Sequence, residues 1–430
     1  MYAGRSAMAK PKARDEQPVL QMHTLLADFR LLVVLFVCLR LLLLLIYQPF
    51  ILQGVERGIT AGGDFQTYFQ IASLSDKVGL PLRDWWSEFP PLWSYFSVLI
   101  YKVQPNYTGF SMLLGFIFLL FDVGNLVLIR KIASQLYSPD TAQALAWIYA
   151  VLLAPLVFVF WTFEVVVAFF MLLSLWWLLK ERDKLAGVGI ALGALVKFTP
   201  IVLLGAIWRY RAVKRAAVPT VIVVGLVAGT YAVFFMQNAA MTMPSVTAQF
   251  SKASYQTVWA LVDGNYRTGN FGPLEDRLDP ARASITLGNS ARIPSWVRLG
   301  GALLVGVFVF MRTRRFDAKG LVTFVGVSLL IFFLQAQGWS PQWLVQIIPF
   351  ILLCFPNRDG VLMVVLLSLV TFTEYPFLFI RTGDTGGEIS GTLMTPFAAL
   401  VLARTVILVG ICVAQYRILR QSRDRQGLVV

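Results

Sequence analysis

The sequence predicts an all-α polytopic membrane protein with about 10–12 transmembrane helices and two long structured loops. Hydrophobic residues make up 57% of the 430 residues, and only 14% are charged. The mean hydropathy is +0.70. A soluble domain cannot bury so much apolar surface, so the bilayer must solvate most of this chain.

The membrane spans are predicted from uncharged or nearly uncharged apolar runs, since about 20 helical residues cross the hydrocarbon core. Such runs lie near 31–52, 108–129, 141–160, 163–180, 216–237, 296–311, 320–336, 341–356, 360–379 and 395–414.

One further apolar run, 186–208, predicts a helical hairpin that enters and leaves on the same face. Basic residues flank both of its ends, and Lys197-Phe-Thr-Pro200 interrupts it. Each leg of roughly 12 residues would be only ~18 Å long, short of the ~30 Å hydrocarbon core. Pro200 is suited to open the second leg, because proline is tolerated in the first turn of a helix.

Basic residues mark the cytoplasmic side of membrane proteins, and their distribution predicts that both termini are cytoplasmic. Residues 1–30 and 416–430 are basic tails, and 31–415 form a single transmembrane domain. Loops 53–107 and 238–295 then share the extracytoplasmic face. The net charge of +14 is therefore explained by membrane topology, and no nucleic-acid partner is expected.

The cysteines and the histidine favour neither a disulfide framework nor a metal site. Cys38, Cys354 and Cys412 all lie in apolar runs, and His23, the only histidine, lies in the N-terminal tail. We therefore expect no metal and no cofactor.

Asp64 is the first candidate for chemistry. It follows Gly62-Gly63 about a dozen residues after the first span and precedes an aromatic helix start that includes Tyr68, a candidate substrate contact. One interpretation is a helix N-cap, where aspartate is favoured. The other is a general base, since desolvation at an apolar interface raises the basicity of a carboxylate.

A second cluster follows in the same loop, with Arg83, Asp84 and Glu88 around Trp85-Trp86. Tryptophans populate the membrane interface, so an anchoring role is the plainer interpretation. Arg83 and Asp84 are candidate substrate contacts, and Glu88 is a back-up base.

Lys197 is a candidate because an intramembrane lysine is costly and indicates function by default. It either snorkels to an interface or binds a lipid-linked phosphate near the hairpin tip. Arg40 and Asp122 lie at similar depths in two predicted spans and favour a structural ion pair, for which Arg404 could compete.

The second long loop and the start of a later span carry further candidate substrate contacts. Trp259 and Asn265 belong to an aromatic and amide-rich stretch of the kind that binds sugars, and Arg267 could grip a phosphate. Gln342 and Trp343 lie at a span boundary, where they either face a cavity or satisfy a helix end. An ordinary folded loop is the alternative for the whole stretch.

Four short motifs in this order resemble the polyprenyl-phosphate-sugar-dependent glycosyltransferases of the GT-C fold, and glycosyltransferase family 87 most of all. The motifs are Gly-Asp-Phe…Tyr at 63–68, Phe-Pro-Pro-Leu at 89–92, Leu-Val-Lys-Phe-Thr-Pro at 195–200 and Ser-Pro-Gln-Trp…Pro at 340–349. The resemblance implies that Asp64 is the base that deprotonates an acceptor hydroxyl, with Lys197 near the donor phosphate. A single aspartate in place of an Asp-x-Asp pair argues against a divalent cation.

The resemblance also implies the partners. A hexose, mannose first among the candidates, would pass with inversion from a polyprenyl-phosphate-linked donor to a lipid or glycan acceptor on the extracytoplasmic face of the plasma membrane. The alternatives are a lipid or solute transporter or flippase, and an enzyme like the O-antigen polymerases and ligases. A transporter would place its charges along a central path and would not need two long structured outer loops.

Overall fold

The structure is a computed structural model, and it describes residues 22–47, 64–152, 160, 162–269, 272–285, 288–374 and 387–422. Within these ranges the chain is helical, and extended pairing is limited to isolated bridges such as the one between Tyr255 and Gly338. The α-helices of the first half are α1 Met22–Ala27, α2 Phe29–Tyr47, α3 Phe65–Lys77, α4 Pro91–Val103, α5 Tyr107–Leu136, α6 Pro139–Val151, α7 Glu164–Leu179, α8 Asp183–Val196 and α9 Val202–Tyr210.

The α-helices of the second half are α10 Val213–Thr242, α11 Pro244–Ser251, α12 Val258–Asp263, α13 Ser295–Arg312, α14 Ala318–Gln335, α15 Leu344–Cys354, α16 Arg358–Phe372 and α17 Met394–Arg420. Short 3-10 turns at Thr199–Ile201 and Pro341–Trp343 precede α9 and α15, each with a proline in its first turn. Proline suits these positions because its missing N–H would have no partner there.

Five helices among the described residues are long and apolar enough to cross a membrane, namely α5, α10, α13, α14 and a unit that joins Gly391–Leu393 to α17. Shorter apolar helices cover Glu164–Leu179 and Pro341–Cys354. α10 and α13 bury little of their surface in the protein, which leaves apolar faces for lipid. The predicted all-α polytopic membrane class is confirmed.

The helical hairpin predicted for 186–208 is also confirmed. α8 ends at Val196, Lys197 adopts an extended conformation, and the chain turns back through Thr199–Ile201 into α9. The two outer ends lie together, since Arg211 Nε donates to Asp183 Oδ1 at 2.9 Å. The hairpin therefore starts and finishes at the same end of the bundle.

That end of the bundle carries basic side chains, and we call it the basic end. Arg209 donates to the Thr313 carbonyl oxygen at 2.7 Å, and Tyr210 donates to that of Arg315 at 2.9 Å. The Arg315 amide in turn donates to the Leu419 carbonyl oxygen at 3.1 Å. Segments expected to be cytoplasmic thus meet each other, although they are far apart in sequence.

The two long loops meet at the opposite end of the bundle, which we call the loop end. The Trp86 amide donates to the Arg277 carbonyl oxygen at 2.9 Å, and Asn238 Nδ2 donates to that of Arg83 at 2.8 Å. The amide of Ile389 joins them through the Tyr266 carbonyl oxygen at 2.8 Å. The described parts of the two loops, 64–107 and the ranges within 238–295, thus meet at one end of the bundle.

The predicted ion pair between Arg40 and Asp122 is present and fully buried. Asp122 also accepts a hydrogen bond from the Tyr149 hydroxyl at 2.6 Å, so both carboxylate oxygens have partners. Arg404 does not compete for Asp122, because it pairs with Glu374. Buried charges need such partners, and these pairs link helices within the bundle.

Candidate active site

Asp64 occupies the N-cap position of α3, but its side chain makes no capping hydrogen bond. Its Oδ2 instead accepts a hydrogen bond from the Tyr68 hydroxyl at 3.1 Å. Tyr68 lies one helical turn further along α3, on the same face. The carboxylate is therefore directed toward the protein interior instead of toward the helix start.

A cage of aromatic rings surrounds the Tyr68 ring and so fixes its hydroxyl. The ring centroid lies 5.0 Å from that of Trp93, 5.7 Å from Phe89 and 5.8 Å from Phe163. Rings at these separations pack favourably in edge-to-face or offset arrangements. The Phe-Pro-Pro-Leu motif contributes Phe89, and its prolines start α4, which supplies Trp93.

The environment of Asp64 raises the pKa of its carboxyl group. The side chain is half-buried, and desolvation is the largest effect, raising its pKa to about 7. The Tyr68 hydrogen bond and the Lys197 charge lower the pKa, whereas the charges of Glu164 and Glu88 raise it. A carboxylate with this pKa is a suitable general base at neutral pH.

Lys197 lies at the tip of the hairpin, where α8 ends. Its ammonium contacts Glu164 Oε1 and lies 4.8 Å from the centroid of the Trp343 ring, within cation–π range. Gln346 donates to the other oxygen of Glu164. The Lys197 side chain remains 24% exposed while Glu164 is 3% exposed, so part of the lysine stays accessible beside the buried carboxylate.

Glu164 is the residue that sequence reasoning missed. It begins α7 at the edge of a long apolar run, and its carboxylate is within electrostatic reach of Asp64. An acidic residue at such a position is itself a signal for function. Its pairing with Lys197 and Gln346 could not be foreseen, because the three residues lie far apart in sequence, on α7, at the hairpin tip and on α15.

Glu88 lies near this site but is fully engaged. Arg277 donates to both of its oxygens, with Nη2 to Oε1 at 3.0 Å, and Lys252 Nζ lies 3.2 Å from Oε1. Burial opposes ionisation, but the charges of Arg277 and Lys252 outweigh it and hold the pKa at about 2. A carboxylate that is so weakly basic is poorly suited to the predicted back-up role.

Two of the predicted substrate contacts in the first loop bind each other. Arg83 Nη2 donates to Asp84 Oδ2 at 2.7 Å, and the Leu80 amide donates to the same oxygen. Both side chains are substantially exposed. This local arrangement closes the turn that leads to Trp85.

The predicted contacts of the second loop are spread over its folded core. Trp259 donates to the Leu334 carbonyl oxygen at 2.9 Å, and Asn265 donates to the Ser254 hydroxyl and accepts from the Asn289 amide. Arg267 pairs through its backbone with Glu388. These contacts are those of a structured loop.

Gln342 and Trp343 lie closer to the site, in the turn Pro341–Trp343 that precedes α15. Trp343 stacks on Phe333 with centroids 4.6 Å apart and presents its ring to Lys197. The structure therefore brings together Asp64, Tyr68, Lys197 and Trp343 of the predicted set, and adds Glu164 and Gln346.

The site thus combines a base-like carboxylate with a partly accessible cation. Three or more metal-ligating side chains do not cluster anywhere in the part of the chain that the structure describes. This combination can remove a proton from one group while it stabilises negative charge on another. Group transfer to a hydroxyl needs both.

The apolar helical bundle thus carries this polar site at its loop end, and the class of protein follows from the family match. The model of glycosyltransferase family 87 matches residues 90–336, more than half of the chain. The protein belongs to glycosyltransferase family 87 and is therefore a membrane glycosyltransferase. The matched range contains Glu164 and Lys197, whereas Asp64 precedes it. The family match therefore argues against the alternative that the protein is a transporter.

No curated protein matches the sequence. The Archaeoglobus fulgidus oligosaccharyltransferase in the apo form aligns with a TM-score of 0.41 and 12% identity, over 92% of this chain and 56% of that one. The same enzyme tethered to an acceptor peptide gives a TM-score of 0.40, also at 12% identity over 92% and 56%. The chain thus spans about half the length of that enzyme, and the family assignment rests on the family match.

Proposed function

We propose that this glycosyltransferase moves a hexose, with mannose as the first candidate, from a polyprenyl-phosphate donor to a lipid or glycan acceptor. The reaction takes place at the loop end, on the extracytoplasmic face, and inverts the anomeric carbon. One observation carries the proposal: Asp64, whose pKa is about 7, lies within electrostatic reach of the partly exposed Lys197.

In the proposed step, Asp64 accepts the proton of an acceptor hydroxyl. The acceptor oxygen attacks the anomeric carbon, and the bond between that carbon and the phosphate oxygen breaks. Polyprenyl phosphate leaves with the bonding electron pair. Phosphate is a good leaving group that needs a cation beside it more than an acid catalyst, and Lys197 is the group that meets this need.

Asp64 is preferred to Glu88 as the base because of what binds each carboxylate. Glu88 is held by two cations, and its pKa is about 2. Asp64 receives one neutral hydrogen bond, from Tyr68. Of these two carboxylates, only Asp64 combines basicity near neutral pH with an oxygen that can receive a proton.

The test is transfer by the purified protein in lipid nanodiscs supplied with polyprenyl-phosphate mannose and an extract of membrane lipids. We expect Asp64→Asn to abolish transfer and to retain donor binding. The matched control is Asp84→Asn, which removes a partly exposed carboxylate outside the site and should leave transfer within about twofold. Mass spectrometry of envelope glycans with and without the intact gene identifies the acceptor. Normal transfer by Asp64→Asn would refute the proposed mechanism.

A further inference from the structure

The ring of Tyr255, in the second long loop, packs very closely against two glycines, Gly338 and Gly269. A Cβ atom added to Gly338 would lie 2.2 Å from Cε1 and Cζ of the Tyr255 ring, and one added to Gly269 would lie 2.8 Å from its Cε2. Real Cβ atoms do not approach that near, so both positions must be glycine while the ring stays in place. The two glycines clamp the ring.

The backbone of Tyr255 is fixed as well. Its amide donates to the Gln337 carbonyl oxygen at 3.1 Å, and its carbonyl oxygen accepts from the Trp339 amide at 3.1 Å. This bridge joins the second loop to the turn before α15. Tyr255 therefore moves only with the turn that also carries Trp343, the residue whose ring faces Lys197.

The next residue is strained, and a buried ion pair stabilises it. Gln256 has a φ of 50°, a left-handed conformation that is uncommon for a residue with a side chain. Arg404 donates to the carbonyl oxygen of Gln256. The Nε2 atom of Gln256 donates to Glu374 Oε1 at 3.2 Å. Arg404 and Glu374 are 1% exposed each and bind one another. Strain that is retained in this way points to a functional site.

The Tyr255 hydroxyl lies against the chain that leads into the turn before α15, because a Cβ atom added to Gly338 would lie 2.6 Å from it. The Ser340 side chain and the charges of Asp64, Glu88 and Glu164 all act on this hydroxyl. Burial raises the pKa of Tyr255 above its ordinary value, and the three carboxylates add to this effect. The hydroxyl is thus a neutral group at physiological pH, able both to donate and to accept a hydrogen bond.

We infer that the clamped Tyr255 hydroxyl, with Ser340, binds a hydroxyl of the transferred sugar beside Asp64 and so selects the donor. A neutral pair of hydroxyls close to several carboxylates repels no polyol and offers little to a phosphate, which Lys197 serves instead. The rigid ring fixes the position of the hydrogen bond, and fixed hydrogen-bonding groups discriminate strongly between a sugar and its deoxy analogue. This inference rests on the proposed function, because it places the sugar of the donor.

The test compares polyprenyl-phosphate mannose with its 2-, 3-, 4- and 6-deoxy analogues as donors for the wild-type protein and for Tyr255→Phe. We expect the wild type to lose about tenfold to 100-fold in kcat/KM for one of the deoxy donors. Tyr255→Phe should lose a similar factor for mannose itself and should treat that deoxy donor and mannose alike, within about twofold. A merely structural tyrosine would lower transfer from all donors by one common factor and would leave the discrimination intact, which would overturn the inference.

Two controls keep the outcome interpretable. Tyr416→Phe removes a hydroxyl from a ring that packs on Phe308 in the transmembrane helices and should change neither transfer nor discrimination. Gly338→Ala displaces the clamped ring and should reduce discrimination, whereas Gly300→Ala, with open space around its Cβ position, should not. If the wild type transfers no sugar from any of these donors, the proposed function itself fails, which is a different result from retained discrimination in Tyr255→Phe.

Discussion

The pH dependence of transfer tests the role of Asp64 most directly. Because desolvation raises the pKa of this carboxyl to about 7, its ionised fraction falls from about nine-tenths at pH 8 to about one-tenth at pH 6. A base must be ionised to accept a proton. We therefore expect kcat/KM to fall roughly tenfold between pH 8 and pH 6, with an acidic limb centred near pH 7.

The assay is the initial rate of sugar transfer at subsaturating donor in buffers from pH 5.5 to 9, with donor binding followed in parallel. An aspartate of ordinary pKa near 3.8 would give a flat profile over this range. A flat profile, or an acidic limb that persists in the residual activity of Asp64→Asn, would refute the assignment. Binding that is constant with pH shows that the limb belongs to the chemical step.

The raised pKa of Asp64 also makes the stability of the folded protein depend on pH. The folded protein holds the Asp64 proton more tightly than the unfolded chain does, so the contribution of this group to stability declines as the pH rises from about 4 toward 7. Above pH 7 the cost of the buried charge is constant. Asp64→Asn removes this cost, so we expect its melting temperature at pH 8 to equal or exceed that of the wild type.

Four further predictions concern other parts of the structure. Lys197→Gln should lower kcat about 100-fold, with Lys197→Arg recovering part of it in the nanodisc assay; equal activity of all three proteins would contradict a phosphate-binding role. Glu88→Gln leaves Arg277 buried without its partner, so unfolding experiments should show a loss of about 3–5 kcal/mol, and an unchanged stability would argue against the ion pair. Transfer should persist within about twofold in excess EDTA, and a loss that Mg²⁺ or Mn²⁺ restores would reveal a metal. Arg282 lies in the second long loop, and Lys214 lies in the first turn of α10 at the basic end. An impermeant thiol reagent should label R282C in intact cells and K214C only after permeabilisation, while the reverse result would invert the topology.

The features that sequence predicted correctly have local or strongly patterned signals. The hairpin was foreseeable because basic flanks and Pro200 mark its ends and its turn, and the structure has α8 and α9 on either side of Lys197. The pairing of Arg40 with Asp122 followed from depth, since two opposite charges in adjacent spans have few alternatives. Both inferences need only the chain and the thickness of a bilayer.

The contacts that sequence could not provide depend on the packing of helices distant in the chain. Glu164 reaches Lys197 and Gln346 because α7, α8 and α15 meet, and no spacing in the sequence encodes that meeting. Arg404 could be recognised as a buried charge, but its partner Glu374 could not be chosen over Asp122. Depth along the membrane is readable from sequence, whereas position around the bundle is not.

The depth of the hairpin bears on the kind of donor. With the basic end at the proposed cytoplasmic surface, α8, which has 14 residues, extends ~21 Å into the bilayer and would leave Lys197 short of the far surface of a ~30 Å hydrocarbon core. An ammonium held there by Glu164 is reached most readily by a phosphate that is attached to a membrane-dissolved chain, because the chain lies in the bilayer while its headgroup enters the protein. A water-soluble nucleotide sugar would have to carry its charges down to the same depth at a high desolvation cost. The position of Lys197 therefore supports a lipid-linked donor independently of the chemistry of Asp64.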